Sequence, residues 1–281
     1  MVANNQLRRT CIVAVSLFAL LCTQVRCSAR AAAYFSRDAV ARIAVDFCSA
    51  AGEGNVAPSR ITRPASPGAL AADAHHWRPL WHVAMSRGAN LQIADVSGIV
   101  VGYTAGKRTA ASDASTSKDV DQETAIRKAV ILLAASGQKN ELADSPDIAN
   151  SPDSAAWVVR WKRVWNSVEY PTDAATVSID KTTGAPRSLF INFNAPPPGH
   201  IEEAITAQEA VKIAESALKG DAGASTLQVL PPEKVVVSLL ATASSPAVSR
   251  VAWFCHFLTG SGRTLSTYVD IVTGRTLHDG K

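Results

Sequence analysis

The sequence predicts an α+β fold made of three tandem modules, each with one helix packed on an antiparallel sheet. Three features recur in the same order: an amphipathic helix, a strand with a tryptophan, and a tight turn that runs from Asp to Gly. The turns end at Gly98, Gly184 and Gly274, which are 86 and 90 residues apart. Matched features at a nearly fixed period indicate repeated structural units.

Each module is predicted to begin with a helix that has its own start signal. The helix over 36–51 begins with a serine N-cap, and the helix over 121–135 begins with an aspartate N-cap. The third begins at the capping box Thr206-Ala-Gln-Glu209, whose two side chains satisfy free backbone N–H groups. Apolar residues at helical spacing give each helix one apolar face.

The turns of the three modules share an aspartate as well as a glycine. Glycine adopts the left-handed conformation that tightens a hairpin, and the carboxylate accepts N–H groups of the turning backbone. Because the pair recurs, we assign these carboxylates to turn stabilisation and not to catalysis. The predicted turn residues are Asp95, Gly98, Asp180, Gly184, Asp270 and Gly274.

The clearest copy of the unit lies between Ala156 and Asn194 and contains a row of tryptophans. Trp157, Trp161 and Trp165 are at even spacing, so on a strand they share one face. The spacing also fits a helix, but the valine-rich context favours a strand. Two interpretations are open: the indoles cover the helix-facing side of the sheet, or they form an exposed platform for a sugar or a peptide.

The N-terminus predicts export. Two arginines precede an apolar run over 11–22, which is too short to span a bilayer, and Ala29-Arg30-Ala31 fits a cleavage site. We therefore expect a signal peptide over 1–31, a periplasmic or extracellular protein, and no stable membrane insertion after cleavage.

Removal of this segment changes the charge of the chain. The segment contains four of the 28 basic residues and no acidic residue, so 24 basic and 24 acidic residues remain. Proteins that bind nucleic acids generally have a basic surface that neutralises the phosphates, and a chain with no excess of basic residues lacks this overall charge. We expect no nucleic-acid binding.

Two of the five cysteines, Cys48 and Cys255, remain after cleavage. In an exported protein they can form a disulfide, or they can be two separately buried thiols. The one histidine cluster, His75, His76 and His82, has no Cys or acidic ligand at familiar spacing, so we predict no metal and no cofactor.

The sequence contains no His-Glu-x-x-His, Gly-x-Ser-x-Gly or Cys-x-x-Cys motif. These motifs place a metal ligand, a nucleophile or a redox thiol at the geometry that its chemistry needs. We therefore predict no catalytic residues and no enzymatic activity.

The order of helix, Trp strand and Asp-turn hairpin resembles PepSY-type domains, which occur in propeptides of thermolysin-like metalloproteases and in related exported bacterial proteins. The matching segments are Thr206–Ala214 with Trp253 and Tyr268–Gly274, and Trp157–Val159 with Val177–Gly184. The first module matches less well, because its turn is one residue shorter and a long loop, predicted over about 53–76, separates its helix from its sheet.

The resemblance implies PepSY-like modules over 32–106, 119–194 and 200–281. It also implies a role in binding or inhibiting an extracytoplasmic partner, such as a secreted protease. The alternative function is a glycan- or peptide-binding module that uses an exposed Trp face.

Overall fold

The computed structural model describes residues 35–63, 79–106, 119–138, 140–149, 154–222, 227–240 and 245–277. These residues form an α+β fold with three helices and two antiparallel sheets. The predicted signal peptide, His75 and His76 lie outside the described residues.

The helices begin where their caps predict. They are α1 (Arg37–Ala50), α2 (Gln122–Ala135) and α3 (Ala207–Ala222). The Ser36 hydroxyl accepts the Ala39 N–H at 3.2 Å, and the carboxylate before α2 accepts a first-turn N–H at 2.7 Å. Before α3, the Thr206 N–H donates to the Glu209 carboxylate at 2.9 Å, which confirms the capping box.

The first sheet has eight strands in the order β1-β2-β3-β4-β8-β7-β6-β5. The strands are β1 (Pro58–Thr62), β2 (Leu80–Met85), β3 (Asn90–Ala94), β4 (Val100–Thr104), β5 (Asp147–Ala149), β6 (Ala156–Trp165), β7 (Val168–Asp180) and β8 (Pro186–Asn192). The pair β4–β8 joins the two halves, with Gly102 opposite Phe190. Helix α2 packs on β6, β7 and β8, and α1 packs beside α2 and against β1 and β2. One face of this sheet is therefore covered by helices.

The second sheet has five strands, with α3 packed on β11 and β12. The strands are β9 (Leu227–Val229), β10 (Glu233–Leu239), β11 (Val248–Thr259), β12 (Thr264–Asp270) and β13 (Thr276–Leu277). The core under the helix contains Ala210, Ala214, Cys255, Phe257 and Val269.

The strands that the sequence does not predict are short edge strands or extensions. Strand β1 lies within the segment over 53–76 that the sequence predicts as a loop. The prediction misses this strand because its residues are mostly exposed and show no apolar alternation. Strand β7 begins at Val168, directly after Asn166 and Ser167, which form a two-residue turn with φ of 47° and 65°. Positive φ at both positions is typical of the turn that joins two twisted strands most tightly.

The tip of the β6–β7 hairpin packs against the second sheet. Tyr170 lies in one buried cluster with Val236, Val251 and Ile271. The buried Asp173 carboxylate also accepts a hydrogen bond from the Ser238 hydroxyl at 3.0 Å. Both apolar and polar contacts therefore connect the two sheets.

Candidate binding cleft between the two sheets

The three predicted binding tryptophans do not form an exposed platform. Trp161 is only 5% exposed, and Trp157 is half-buried. The Trp157 indole donates to the Val120 carbonyl at 2.8 Å, and the Lys181 ammonium lies 5.3 Å from the centre of its ring. Trp157 and Trp161 are therefore largely covered, and Trp165 follows a register shift between Lys162 and Val164, so the even spacing does not place all three on one continuous face.

The tryptophans of the three hairpins occupy the same position in the strand register. In each hairpin, the tryptophan pairs with the last strand residue before the turn opens. The pairs are Trp81↔Ile93, Trp157↔Ile179 and Trp253↔Val269. The indoles of the second and third hairpins each donate to a carbonyl two residues before a helix begins. Each of these two indoles therefore connects a sheet to the start of its helix.

The second and third turns have the same construction. The Asp180 carboxylate accepts two turn N–H groups at 2.9 and 2.7 Å, and Asp270 accepts two at 2.9 and 2.8 Å. Gly184 and Gly274 have φ of 66° and 67°. These contacts satisfy the backbone of the turn and bring no two of the predicted carboxylates together.

The first turn differs from the prediction. Gly98 donates its N–H to the carbonyl of Ala94, so Ala94 opens the turn and its length equals that of the other two. The expectation of a shorter turn, which counts from Asp95, is wrong. Asp95 lies one residue later and is buried, and its carboxylate accepts the Trp81 indole N–H at 2.6 Å and pairs with Arg63 at 3.4 Å.

The electrostatics of Asp180 are those of a stabilised carboxylate. Partial burial raises its pKa, but hydrogen bonds from Thr183 and Arg187 outweigh burial, and the pKa falls below its usual value. A low pKa keeps the carboxylate charged at neutral pH, as an acceptor of backbone N–H groups requires.

The two cysteines are not bridged. Cys48 lies on α1 and Cys255 lies on β11, and both are free thiols with buried side chains. Burial raises the pKa of each thiol to about 11. The structure therefore shows two separate core thiols, the alternative to the disulfide.

A buried arginine, which sequence reasoning missed, holds the hairpin in place. Arg163 is fully buried, and it donates to Glu141 at 2.6 and 2.8 Å, to Asp173 at 2.9 Å and to the Ala195 carbonyl at 2.7 Å. Its guanidinium also lies over the Tyr170 ring, 4.3 Å from the centroid. Arg163 has the same strand parity as the tryptophans, but the register shifts between Lys162 and Val164, so parity alone does not predict its burial.

A cleft of about 650 Å³ opens beside this junction. Trp165 forms one wall and is half-buried, and the buried Val251 and Ile271 form the apolar floor. The opposite wall comes from the segment before α3, which includes Gly199 and Ile201. The sequence could not predict this site, because five separate stretches of the chain form it.

The rim of the cleft is polar. Lys234 and Glu203 form an ion pair there, and His200 is exposed beside them. The Lys234 ammonium also lies 5.2 Å from the centre of the Trp253 ring. A concave apolar floor with a few polar groups at its edge is the usual form of a binding site.

Two features are absent from the part of the chain that the structure describes. Within it, no group of three His, Cys, Asp or Glu side chains is placed to hold a metal ion. Among the same residues, no helix has the length and apolar character needed to span a membrane.

Comparison with known proteins gives limited similarity. No protein-family model matches the chain, and no curated protein matches it. Among solved structures, the chain is similar to the C-terminal domain of Bacillus megaterium YpeB, with 11% identity and a TM-score of 0.46 over 86% of this chain and 96% of that one. It is also similar to an uncharacterized protein from Eubacterium rectale, with 9% identity and a TM-score of 0.42 over 86% and 82% of the two chains. Similarity at this level assigns no function to this chain.

Proposed function

We propose that this chain is a non-catalytic exported protein of three PepSY-like modules that binds an extracytoplasmic protein, such as a secreted protease. The observation that carries the proposal is the cleft between the sheets, with Trp165 as its wall and an apolar floor. The partner inserts a bulky apolar side chain into this cleft.

The cleft has the composition of an interface anchor point. Tryptophan is among the residues that contribute most to protein–protein binding, especially where a polar rim excludes water around it. An inserted side chain would cover the exposed part of the Trp165 ring and contact the half-buried Val168 and Ile201, which also line the cleft. The exposed pair of Lys234 and Glu203 adds little affinity but restricts the orientation of the partner.

The modular part of the proposal is supported by the shared hairpin geometry. Three tryptophans occupy one register position, and all three turns close with a Gly N–H donating to the residue four positions earlier. Export is supported by the predicted signal peptide over 1–31. The non-catalytic assignment rests on the sequence, which contains none of the catalytic motifs sought.

The alternative function, a glycan or peptide platform on the tryptophan row, has weaker support. Such a platform needs flat indoles that are open to solvent on one face. Trp161 is buried, and Trp157 donates its indole N–H inside the fold. Trp165 borders a cavity, but that cavity is the cleft between the sheets.

A steric block of the cleft tests the proposal without removing a core side chain. A Cβ built on Gly199 meets no atom within 4 Å, so Gly199→Trp places a large side chain at the cleft without a backbone clash. Gly260 has equally open surroundings in the β11–β12 turn, so Gly260→Trp is the matched control.

Purified mature protein is incubated with the secreted proteases of its own host, and residual protease activity and binding are measured. We expect the wild type and Gly260→Trp to bind and slow a protease, and Gly199→Trp to bind at least about tenfold more weakly, as loss of a central contact predicts. The proposal is wrong if no secreted protein binds, or if Gly199→Trp binds as well as the control.

A further inference from the structure

The eight-stranded sheet has a second, solvent-exposed face that the cleft does not use. Opposite residues on neighbouring strands form one continuous row across it. The row is Thr62↔His82↔Gln92↔Gly102↔Phe190↔Thr176↔Arg160↔Asp147. Side chains that are directly opposite in such a row lie about 5 Å apart, so neighbours can contact one ligand together.

The row contains a depression of about 380 Å³ centred on Gly102. Any side chain at this position would collide with Gln92, since a Cβ there would lie 2.6 Å from the Gln92 amide oxygen. The glycine therefore allows the planar amide of Gln92 to lie across the sheet. On its other side, the Phe190 ring stands beside Gly102 and is 51% exposed, an unusual exposure for a large aromatic side chain.

The polar lining of the depression is hydrogen-bonding and positively charged. Asn90, Gln92 and Thr104 line it beside Phe190. Arg60 and His82 lie at one end, and no carboxylate is among the described residues that line it. The depression therefore attracts a ligand that presents an anionic group at the Arg60 end.

We propose that this face binds an acidic oligosaccharide, a chain of sugar rings that carry carboxylates. A sugar ring has an apolar C–H face that packs flat on Phe190, and hydroxyl groups at its edge that bond to Gln92 and Asn90. The carboxylate of a neighbouring ring pairs with Arg60 and contacts His82.

An acidic peptide suits the face less well. A bound extended peptide usually gains its main-chain hydrogen bonds from a free strand edge. Strands β2, β3, β4 and β8 are paired on both edges, so their backbone groups are already used by the sheet. Strand β1 is an edge strand, but a peptide added there would be separated from Phe190 by four strands. Sugar hydroxyls need only side-chain partners, and these are what the depression supplies.

The experiment titrates the folded protein calorimetrically with a galacturonic acid trimer, a neutral glucose trimer and a six-residue glutamate peptide. Phe190→Ala and Arg60→Gln test the two contacts. Leu240→Ala removes another exposed apolar side chain, and Arg263→Gln neutralises an arginine outside the depression, so these are the matched controls. Thermal unfolding checks that each variant is folded.

We expect the acidic trimer to bind at least about tenfold more tightly than the neutral trimer, as a charge-assisted contact predicts. Phe190→Ala and Arg60→Gln each weaken that binding at least about tenfold, and the two controls leave it unchanged. Gly199→Trp, which obstructs only the cleft, also leaves it unchanged, so this inference stands or fails separately from protein binding. The inference is overturned if the acidic trimer does not bind, if the neutral trimer or the peptide binds as tightly, or if both test variants bind like the wild type.

Discussion

Replacing Arg163 by Met should lower the free energy of unfolding by about 3–5 kcal/mol, as the loss of one partner of a buried ion pair predicts. The change removes four hydrogen bonds, of which three go to the carboxylates of Glu141 and Asp173. Asp173 is itself fully buried, and it would keep only neutral donors from Asn194, Thr172 and Ser238. Such a loss is a large fraction of the stability of an ordinary domain, about 5–15 kcal/mol.

Urea denaturation followed by tryptophan fluorescence measures this effect. With a slope of about 3 kcal/mol per molar urea, the midpoint should fall by about 1–1.7 M. Arg160→Met is the matched control, because Arg160 lies on the same strand but on the exposed face, and it should change stability by less than about 0.5 kcal/mol.

A double variant separates the ion pair from the loss of packing. If Arg163 mainly neutralises Asp173, then Arg163→Met combined with Asp173→Asn should cost less than the sum of the two single changes. An additive result, or a cost below about 1 kcal/mol for Arg163→Met alone, would refute the reasoning.

Three further outcomes can be checked. The pKa of Asp180 is lowered in the folded state, so its charge stabilises the fold above the unfolded pKa of about 3.9, and this contribution is lost as pH falls through the folded value. Asp180→Asn should therefore cost about 1 kcal/mol at pH 7, and the difference from wild type in chemical denaturation should shrink towards pH 3. Gly184→Ala should lower the free energy of unfolding more than Gly52→Ala does. Both glycines have positive φ, but only a Cβ at Gly184 would meet side chains, at 2.6–2.9 Å. Equal melting temperatures of the two variants would contradict this. Cys48 and Cys255 should resist alkylation in the native protein at pH 8 and both react in denaturant without reductant; mass spectrometry that finds either one blocked would contradict the free thiols.

The features that the sequence predicts correctly depend on neighbouring residues. The caps at Ser36, Asp121 and Thr206 use hydrogen bonds that span three residues, so a short motif defines them. The turn between Asp180 and Gly184 is likewise defined by residues that are close in sequence, an Asp carboxylate that accepts a nearby N–H and a Gly with positive φ. Such contacts are visible in sequence because both partners appear together.

The features that it misses depend on register and on distant packing. The strand register shifts between Lys162 and Val164, beside the buried Arg163, and the partner Glu141 lies in an irregular segment. The sequence places the start of the first turn at Asp95, one residue too late, because the turn opens at Ala94, which carries no carboxylate to mark it. The cleft needs side chains from five separate stretches of the chain, and no local pattern indicates that they meet.

The pairing of β4 with β8 has a consequence for fragments of this chain. Gly102–Thr104 pair with Ser188–Phe190, and the Ala105 N–H donates to the Arg187 carbonyl at 2.8 Å. This short contact closes the β8 edge of the strands that follow residue 119. A fragment that lacks the first four strands would present β8 as a bare edge, with the Phe190 side chain beside it. Unprotected edges recruit other strands, including those of identical chains. By pairing with β8, the N-terminal strands therefore also prevent the rest of the chain from associating with itself through this edge.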